Sequence, residues 1–132
     1  MNKYRDIIGR VNFTVIHKGW GHELIYHNNK DYCAKELFFI RGKRCSAHLH
    51  NIKDELFICI AGEIFIEYSM KKPKDELDFK DNSSWCILKP GDSFHVPVGL
   101  VHRITGLSDI NRIHEFSTFD DPVDSIRLIK GD

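Results

Sequence analysis

The chain has 132 residues, 42% hydrophobic and 29% charged, which suits one globular domain with a core of its own. Nineteen Lys and Arg offset nineteen Asp and Glu, so the basic face that nucleic acids and anionic membranes draw on is not indicated, and neither partner is expected. The start, MNKYRDIIGR, is charged and lacks an apolar secretory core, and no run is long enough to span a bilayer, so a cytoplasmic location is expected.

In chain order the dominant period is two, the signature of half-buried strands. VNFTVIH (11–17) alternates Val11, Phe13 and Val15 with Asn12 and Thr14. HELIYH (22–27) and YCAKELFFI (32–40) flank NNKD, a tetrapeptide suited to a hairpin turn. RCSAHLH (44–50), ELFICI (55–60) and IFIEY (64–68) follow, punctuated by Gly42 and Gly62. The polar stretch MKKPKDELDFKDNS (70–83) reads as a solvated loop, with room for one helical turn, between the halves of the barrel. SWCILK (84–89), SFHVP (93–97), VHRIT (101–105) and RIHEFSTF (112–119) complete the strands, broken at Pro90-Gly91 and Pro97-Val98-Gly99. The tail DDPVDSIRLIKGD (120–132) predicts a short helix or strand covering one end. So many short strands between turn signals imply an all-β sandwich or closed barrel. Cys33, Cys45, Cys59 and Cys86 form no C-x-x-C pair and are expected to be reduced packing residues.

ELFICI is apolar on both faces, with Phe57 and Cys59 on the Glu55 side and Leu56, Ile58 and Ile60 on the other. In RCSAHLH the face opposite the histidines carries Cys45, Ala47 and Leu49. If the Glu and His face lines an interior, the reverse faces need a cover, either from this chain or from a second copy, and a homodimer is expected.

Candidate chemistry sits beside these strands. His48 and His50 are two apart, so both imidazoles leave one face, and Glu55 opens the next strand after a polar bend. Two imidazoles and a carboxylate are metal-ligand chemistry once a fourth ligand exists. GDSFHVPVGLVH (91–102) offers His102, set after a Pro-x-Gly bend that can aim it back across a barrel.

These two segments resemble both signature motifs of the cupins. The first, G-x5-H-x-H-x4-E-x6-G, is met by Gly42, His48, His50, Glu55 and Gly62; the second, G-x5-P-x-G-x2-H-x3-N, by Gly91, Pro97, Gly99 and His102. Gly106 replaces the closing Asn. The resemblance spans about residues 33–117, with amino-terminal strands over 11–27 and a tail over 120–132. It implies an all-β, single-domain jelly-roll β-barrel. It also implies one divalent transition metal (Zn, Mn, Fe or Ni) on His48, His50, Glu55 and His102, with positions left open for water or a small-molecule substrate.

A looser resemblance, to the cupin domain of type II phosphomannose isomerases, rests on residues 18–50 and 113–127. Trp20-Gly21, Ser46, His48 and His50 fall on the opening of that domain, although His48 is more often Gln there. Lys53 stands where those isomerases carry Arg, and Glu115 and Arg127 fall on the Glu and Arg of their closing segment. This implies an isomerase or epimerase of a sugar or sugar phosphate. Glu115 and Lys53 are the candidates to move the proton, and Arg127 or Lys53 the candidates to hold an anionic group. His95, two before Pro97, is a candidate pocket-lining residue. As plain structural features, Glu115 would be a strand-face charge, Lys53 a solvated loop residue and Arg127 one half of a tail salt bridge. His17, His22 and His27 read as surface or structural residues, and Trp20 and Trp85 as core or rim aromatics. Two other functions suit the same residues: a non-haem iron dioxygenase, given inward Phe57 and Ile104, and a cupin that binds a small metabolite without transforming it.

Overall fold

The computed structural model describes Gly9 and residues 12–132; Val11, the first residue of the first expected strand, lies outside them. The strands are β1 (Thr14–Lys18), β2 (Gly21–Asn28), β3 (Cys33–Phe39), β4 (Ala47–His50), β5 (Glu55–Ala61) and β6 (Ile64–Ser69). After helix α1 (Glu76–Asn82) come β7 (Ser84–Leu88), β8 (Ser93–Val96), β9 (Val101–Gly106), β10 (Asn111–Ser117) and β11 (Ser125–Ile129). They form two antiparallel sheets, ordered β1-β2-β3-β10-β5-β8 and β11-β4-β9-β6-β7, wound as a jelly roll. Among the described residues no helix is long and apolar enough to cross a membrane.

Period-two alternation sets what faces inward. In β5, Glu55, Phe57 and Cys59 are buried while Leu56 between them is exposed. In β3 the inward set is Lys35, Leu37 and Phe39. Trp20 stacks on Phe39 with ring centroids 4.2 Å apart, and Phe57, Ile64, Ile66, Ile104 and Ile113 pack into the same cluster. Each such side chain contributes about 1.5–3 kcal/mol when fully buried. All four cysteines are free thiols, and three are buried.

The stretch expected to be a solvated loop instead carries α1. Asp75 caps the helix by accepting the Asp78 N–H at 2.8 Å, and Phe79 is its one buried residue. A single apolar anchor gives no helical period to read. Phe79 packs with Ala47, Leu49 and Val101 on the reverse face of β4 and β9, joined by Ile126, Leu128 and Ile129 of β11. Arg103, also on that face, clamps the helix. Its guanidinium forks onto Glu76 at 2.8 Å and 2.8 Å, onto Glu67 at 3.0 Å and 3.3 Å, and lies 5.0 Å from the Phe79 ring. This chain therefore covers the reverse face of β4 itself. Leu56 on β5 and Phe116, its cross-strand neighbour on β10, stay exposed.

The tail does more than cover an end. A 3-10 turn at Pro122–Asp124 leads into β11, which pairs antiparallel with β4 so that Ser125 lies opposite His50 and Arg127 opposite His48. The glycine that replaces the motif's closing Asn also has a reason here. A Cβ on Gly106 would sit 2.5 Å from Asn111 Nδ2 and 2.9 Å from Phe39 Cβ. Asn111 occupies that space, donating to the Phe39 and Ser108 carbonyls at 3.0 Å and 2.6 Å.

Candidate metal centre

β4 and β9 bring His48 directly opposite His102. His50 shares the inward face of β4, and Glu55, the first residue of β5, approaches from the other sheet. One ligand atom from each of His48, His50 and His102 lies within 4.8 Å of the others. Glu55 closes the group, with Oε2 3.3 Å from His102 Nε2 and Oε1 3.6 Å from His50 Nε2.

Hydrogen bonds decide which nitrogen is free. His48 Nδ1 donates to the Ser46 carbonyl at 2.9 Å and His102 Nδ1 to the Leu100 carbonyl at 3.0 Å. A carbonyl only accepts, so in both rings Nδ1 carries the proton and Nε2 keeps a lone pair. The Leu100 carbonyl is aimed by the bend at Gly99, which has a positive φ of 87° and donates its N–H to the His50 carbonyl at 2.8 Å. Burial holds His48 well below the usual histidine range and His50 below it, so both stay neutral, the form that binds metal. Burial opposes ionisation of Glu55 as well, but the Lys53 ammonium 2.9 Å away outweighs it and holds the carboxyl below its usual range.

These residues fit a divalent ion. Three buried polar atoms among the described residues lack any hydrogen-bond partner: His50 Nδ1, Glu55 Oε2 and His102 Nε2. Each unmade bond of this kind costs about 1–3 kcal/mol. Two of the three, a carboxylate oxygen and an imidazole lone pair, face each other at 3.3 Å. A cation about 2.0–2.2 Å from each would satisfy both.

An ionic network stands beside this group. Lys53 Nζ meets Glu55 at 2.9 Å, Glu115 at 2.9 Å and Asp120 at 3.0 Å. Lys35 Nζ meets Asp120 at 3.1 Å, Glu23 at 3.3 Å and Glu115 at 3.6 Å. Desolvation disfavours the charge on both lysines, but Glu115 and the other carboxylates prevail and hold them above the usual lysine range. Lys53 donates hydrogen bonds to Glu115 and Asp120 and forms a third ion pair, with Glu55, so three carboxylates surround its ammonium. Fully ionised, four carboxylates against two ammonium groups leave two negative charges unbalanced, which a divalent ion cancels. Burial, then the charge on Glu55, push the Glu115 carboxyl above its usual range.

The centre lies at the floor of a cavity of about 530 Å³ between the sheets. Trp20, Leu37, Phe39, Phe57 and Ile104 make its apolar wall, and Lys18, Arg127 and Lys130 also line it. Among the described residues Arg127 has no ion-pair partner, and its backbone lies beside that of His48. Cys45 lines the cavity too; its sulfur accepts the Ile104 N–H at 3.3 Å, and burial pushes the thiol up to about 12.

The structure therefore brings His48, His50, Glu55, His102, Lys53, Glu115 and Arg127 to one cavity. It does not bring His95, which points outward with its side chain 61% exposed and pairs with Asp54 at 2.6 Å. Strand alternation explains this: Val96 takes the inward position in β8 and His95 the outward one. Lys53, which would be solvated in an open loop, is buried. The sequence reading missed Lys35, Glu23, Asp120 and Asp124. Lys35 carried a signal, since it shares the inward register of Leu37 and Phe39. The others are placed by contacts distant in sequence.

No protein-family model matches the chain. Over 109 residues it is 26% identical to a D-lyxose ketol-isomerase of Thermofilum sp. (strain ex4484_79), covering 72% of this chain and 61% of that protein. The chain thus spans less than two thirds of that relative. Among solved structures, the L-ribose isomerase of Cellulomonas parahominis, determined with L-psicose, aligns with a TM-score of 0.69 at 16% identity, over 80% of this chain and 68% of that one. The capsular polysaccharide assembling protein CapF of Staphylococcus aureus aligns with a TM-score of 0.71 at 18% identity, over 91% of this chain and 33% of that one.

Proposed function

We propose that this chain, which has the cupin fold, is a metal-dependent isomerase or epimerase of a small carbohydrate or sugar phosphate. The main support is the pair of unpartnered acceptors on Glu55 and His102 at the floor of a cavity that also holds the carboxylate of Glu115. His48, His50, Glu55 and His102 would hold one divalent ion, of zinc, manganese, iron or nickel. When bound, such an ion polarises a carbonyl and stabilises the charge of an enediolate.

The chain's own residues do the rest. Glu115 takes the proton from the hydroxyl-bearing carbon beside the substrate carbonyl and returns it to the carbonyl carbon, while the hydroxyl proton passes to the former carbonyl oxygen. Lys53 and Lys35 fix that carboxylate from one side, leaving its motion small. The apolar wall excludes water from the carbanion-like intermediate. Arg127, with Lys18 and Lys130, meets an anionic substituent remote from the reacting carbons. The names of the D-lyxose and L-ribose isomerases lend this chemistry further support.

The test is proton exchange followed by NMR in deuterated water, across aldoses, ketoses and their phosphates. Exchange is expected with at least one sugar, and Glu115→Gln is expected to abolish it with metal content unchanged. No exchange across the panel would leave a metabolite-binding cupin. Oxygen consumption by an iron-loaded sample would point to the dioxygenase that three imidazoles and a carboxylate also suit.

A further inference from the structure

Three imidazoles face the centre, and two of them are oriented locally. His48 and His102 each donate Nδ1–H to a carbonyl two residues earlier in the chain. His50 makes no such bond. Its Nδ1 is buried without a partner, and the carboxylate within 4 Å of it is Asp124, with Oδ2 at 3.8 Å.

Asp124 belongs to the 3-10 turn that leads into β11, and it is buried at 8% exposure. Its Oδ1 accepts the N–H groups of Asn51 and Ile52 at 2.9 Å and 3.0 Å, and its Oδ2 accepts that of Lys53 at 2.9 Å. These three amides form the turn between His50 and Glu55. A carboxylate has about four lone-pair sites, so one site on Oδ2, the oxygen nearer His50, is left. Buried this way, the fourth site has little reason to be empty.

We propose that Asp124 is the positioning residue of His50, which rests on the metal-binding reading of the four-residue centre. Oδ2 accepts the Nδ1 proton, which fixes the ring tautomer and leaves Nε2 as the lone pair aimed at the ion. A small rotation of the imidazole closes the distance to about 2.9 Å, an ordinary hydrogen bond. The same carboxylate sets the turn that carries Lys53 and Glu55. The carboxy-terminal segment is therefore part of the metal centre, although it supplies no ligand.

The experiment uses the full chain and two readouts. Imidazole 15N spectra recorded in excess chelator report the His50 tautomer without any metal. Competition with a chromophoric chelator reports Zn²⁺ and Mn²⁺ affinity. In the wild type His50 is expected as the Nδ1–H tautomer. Asp124→Asn should shift it towards Nε2–H and weaken metal affinity about 10–100-fold. Asp121→Asn, which changes the cap of the same turn, should move neither. An Nε2–H tautomer in the wild type, read without any variant, overturns the proposal. So does a tautomer unchanged in Asp124→Asn, even if metal still binds. If the tautomer follows Asp124 but the wild type takes up no metal, the His50 contact stands and the metal reading falls.

Discussion

Two buried ionic networks in this chain follow different rules. On the outside of the five-stranded sheet, Arg103 satisfies Glu67 and Glu76 with four hydrogen bonds, and the carboxylates remain 13% and 46% exposed. Inside the cavity, Lys53 and Lys35 serve four carboxylates, two of them almost wholly buried, and unpartnered atoms remain alongside. With Arg44 also meeting Glu76 at 3.3 Å, the first network sets two guanidinium groups against two carboxylates and fastens a helix. The second is complete only with a further positive charge. Buried charge alone therefore does not mark a functional site; an unfinished balance does.

The largest expected effect comes from breaking the inner network. Lys53→Met strands Glu55 and leaves Glu115 and Asp120 to Lys35 alone, and the loss should be about 3–5 kcal/mol of unfolding free energy in chelator. A divalent ion should recover part of it, because it restores positive charge at the same place. Denaturant melts with and without metal measure both numbers.

Next in size is Glu55→Gln. Where the wild type gains about 2.7 kcal/mol from metal at one hundred times its Kd, this variant should gain much less. Elemental analysis after reconstitution checks the premise, and absence of metal from the wild type would undo the whole account of the centre.

Arg103→Met should cost less than Lys53→Met, about 1–3 kcal/mol, because Glu67 and Glu76 can turn to water. Metal affinity should not change. A matching loss of affinity would mean that the outer network reaches the centre after all. Its pH dependence has a definite sign. The Arg103 hydrogen bonds hold Glu76 below the usual carboxylate range, so their stabilisation is present above the unfolded-state value. It fades as the pH falls through the folded-state value. Acid titration of stability should show a smaller component in Arg103→Met than in the wild type, because Arg44 still meets Glu76.

The smallest effect on folding concerns association. Leu56 and Phe116 leave an apolar patch on the six-stranded sheet, and a homodimer through that face is expected by light scattering at micromolar concentration. Leu56→Lys should yield monomers with unchanged metal affinity. A monomeric wild type would leave the patch solvent-facing.

The candidate metal ligands were legible because the information is local. His48 and His50 share a strand face, and Glu55 and His102 follow at fixed spacings across turns that glycine and proline announce. The strands were legible for the same reason. α1 was not, because one phenylalanine, Phe79, carries its whole apolar face. Asp120 and Asp124 were not, because their partners are the turn at 51–53 and lysines of other strands. Gly106 shows a third case, a departure from the motif explained by a neighbour outside it. Restoring the motif with Gly106→Asn should destabilise the fold by about 1–3 kcal/mol, because Asn111 already fills the space.

Cys45 has a consequence for which ions the cavity retains. Its thiol is withdrawn from solvent, accepts a backbone N–H and keeps its proton up to about 12. At neutral pH the cavity therefore presents no thiolate, the donor that soft ions such as cuprous copper favour. Three imidazoles and a carboxylate remain, which suit harder divalent ions. An alkylating reagent should leave Cys45 unmodified until the chain unfolds, so the site resists thiol poisons although sulfur stands within its walls.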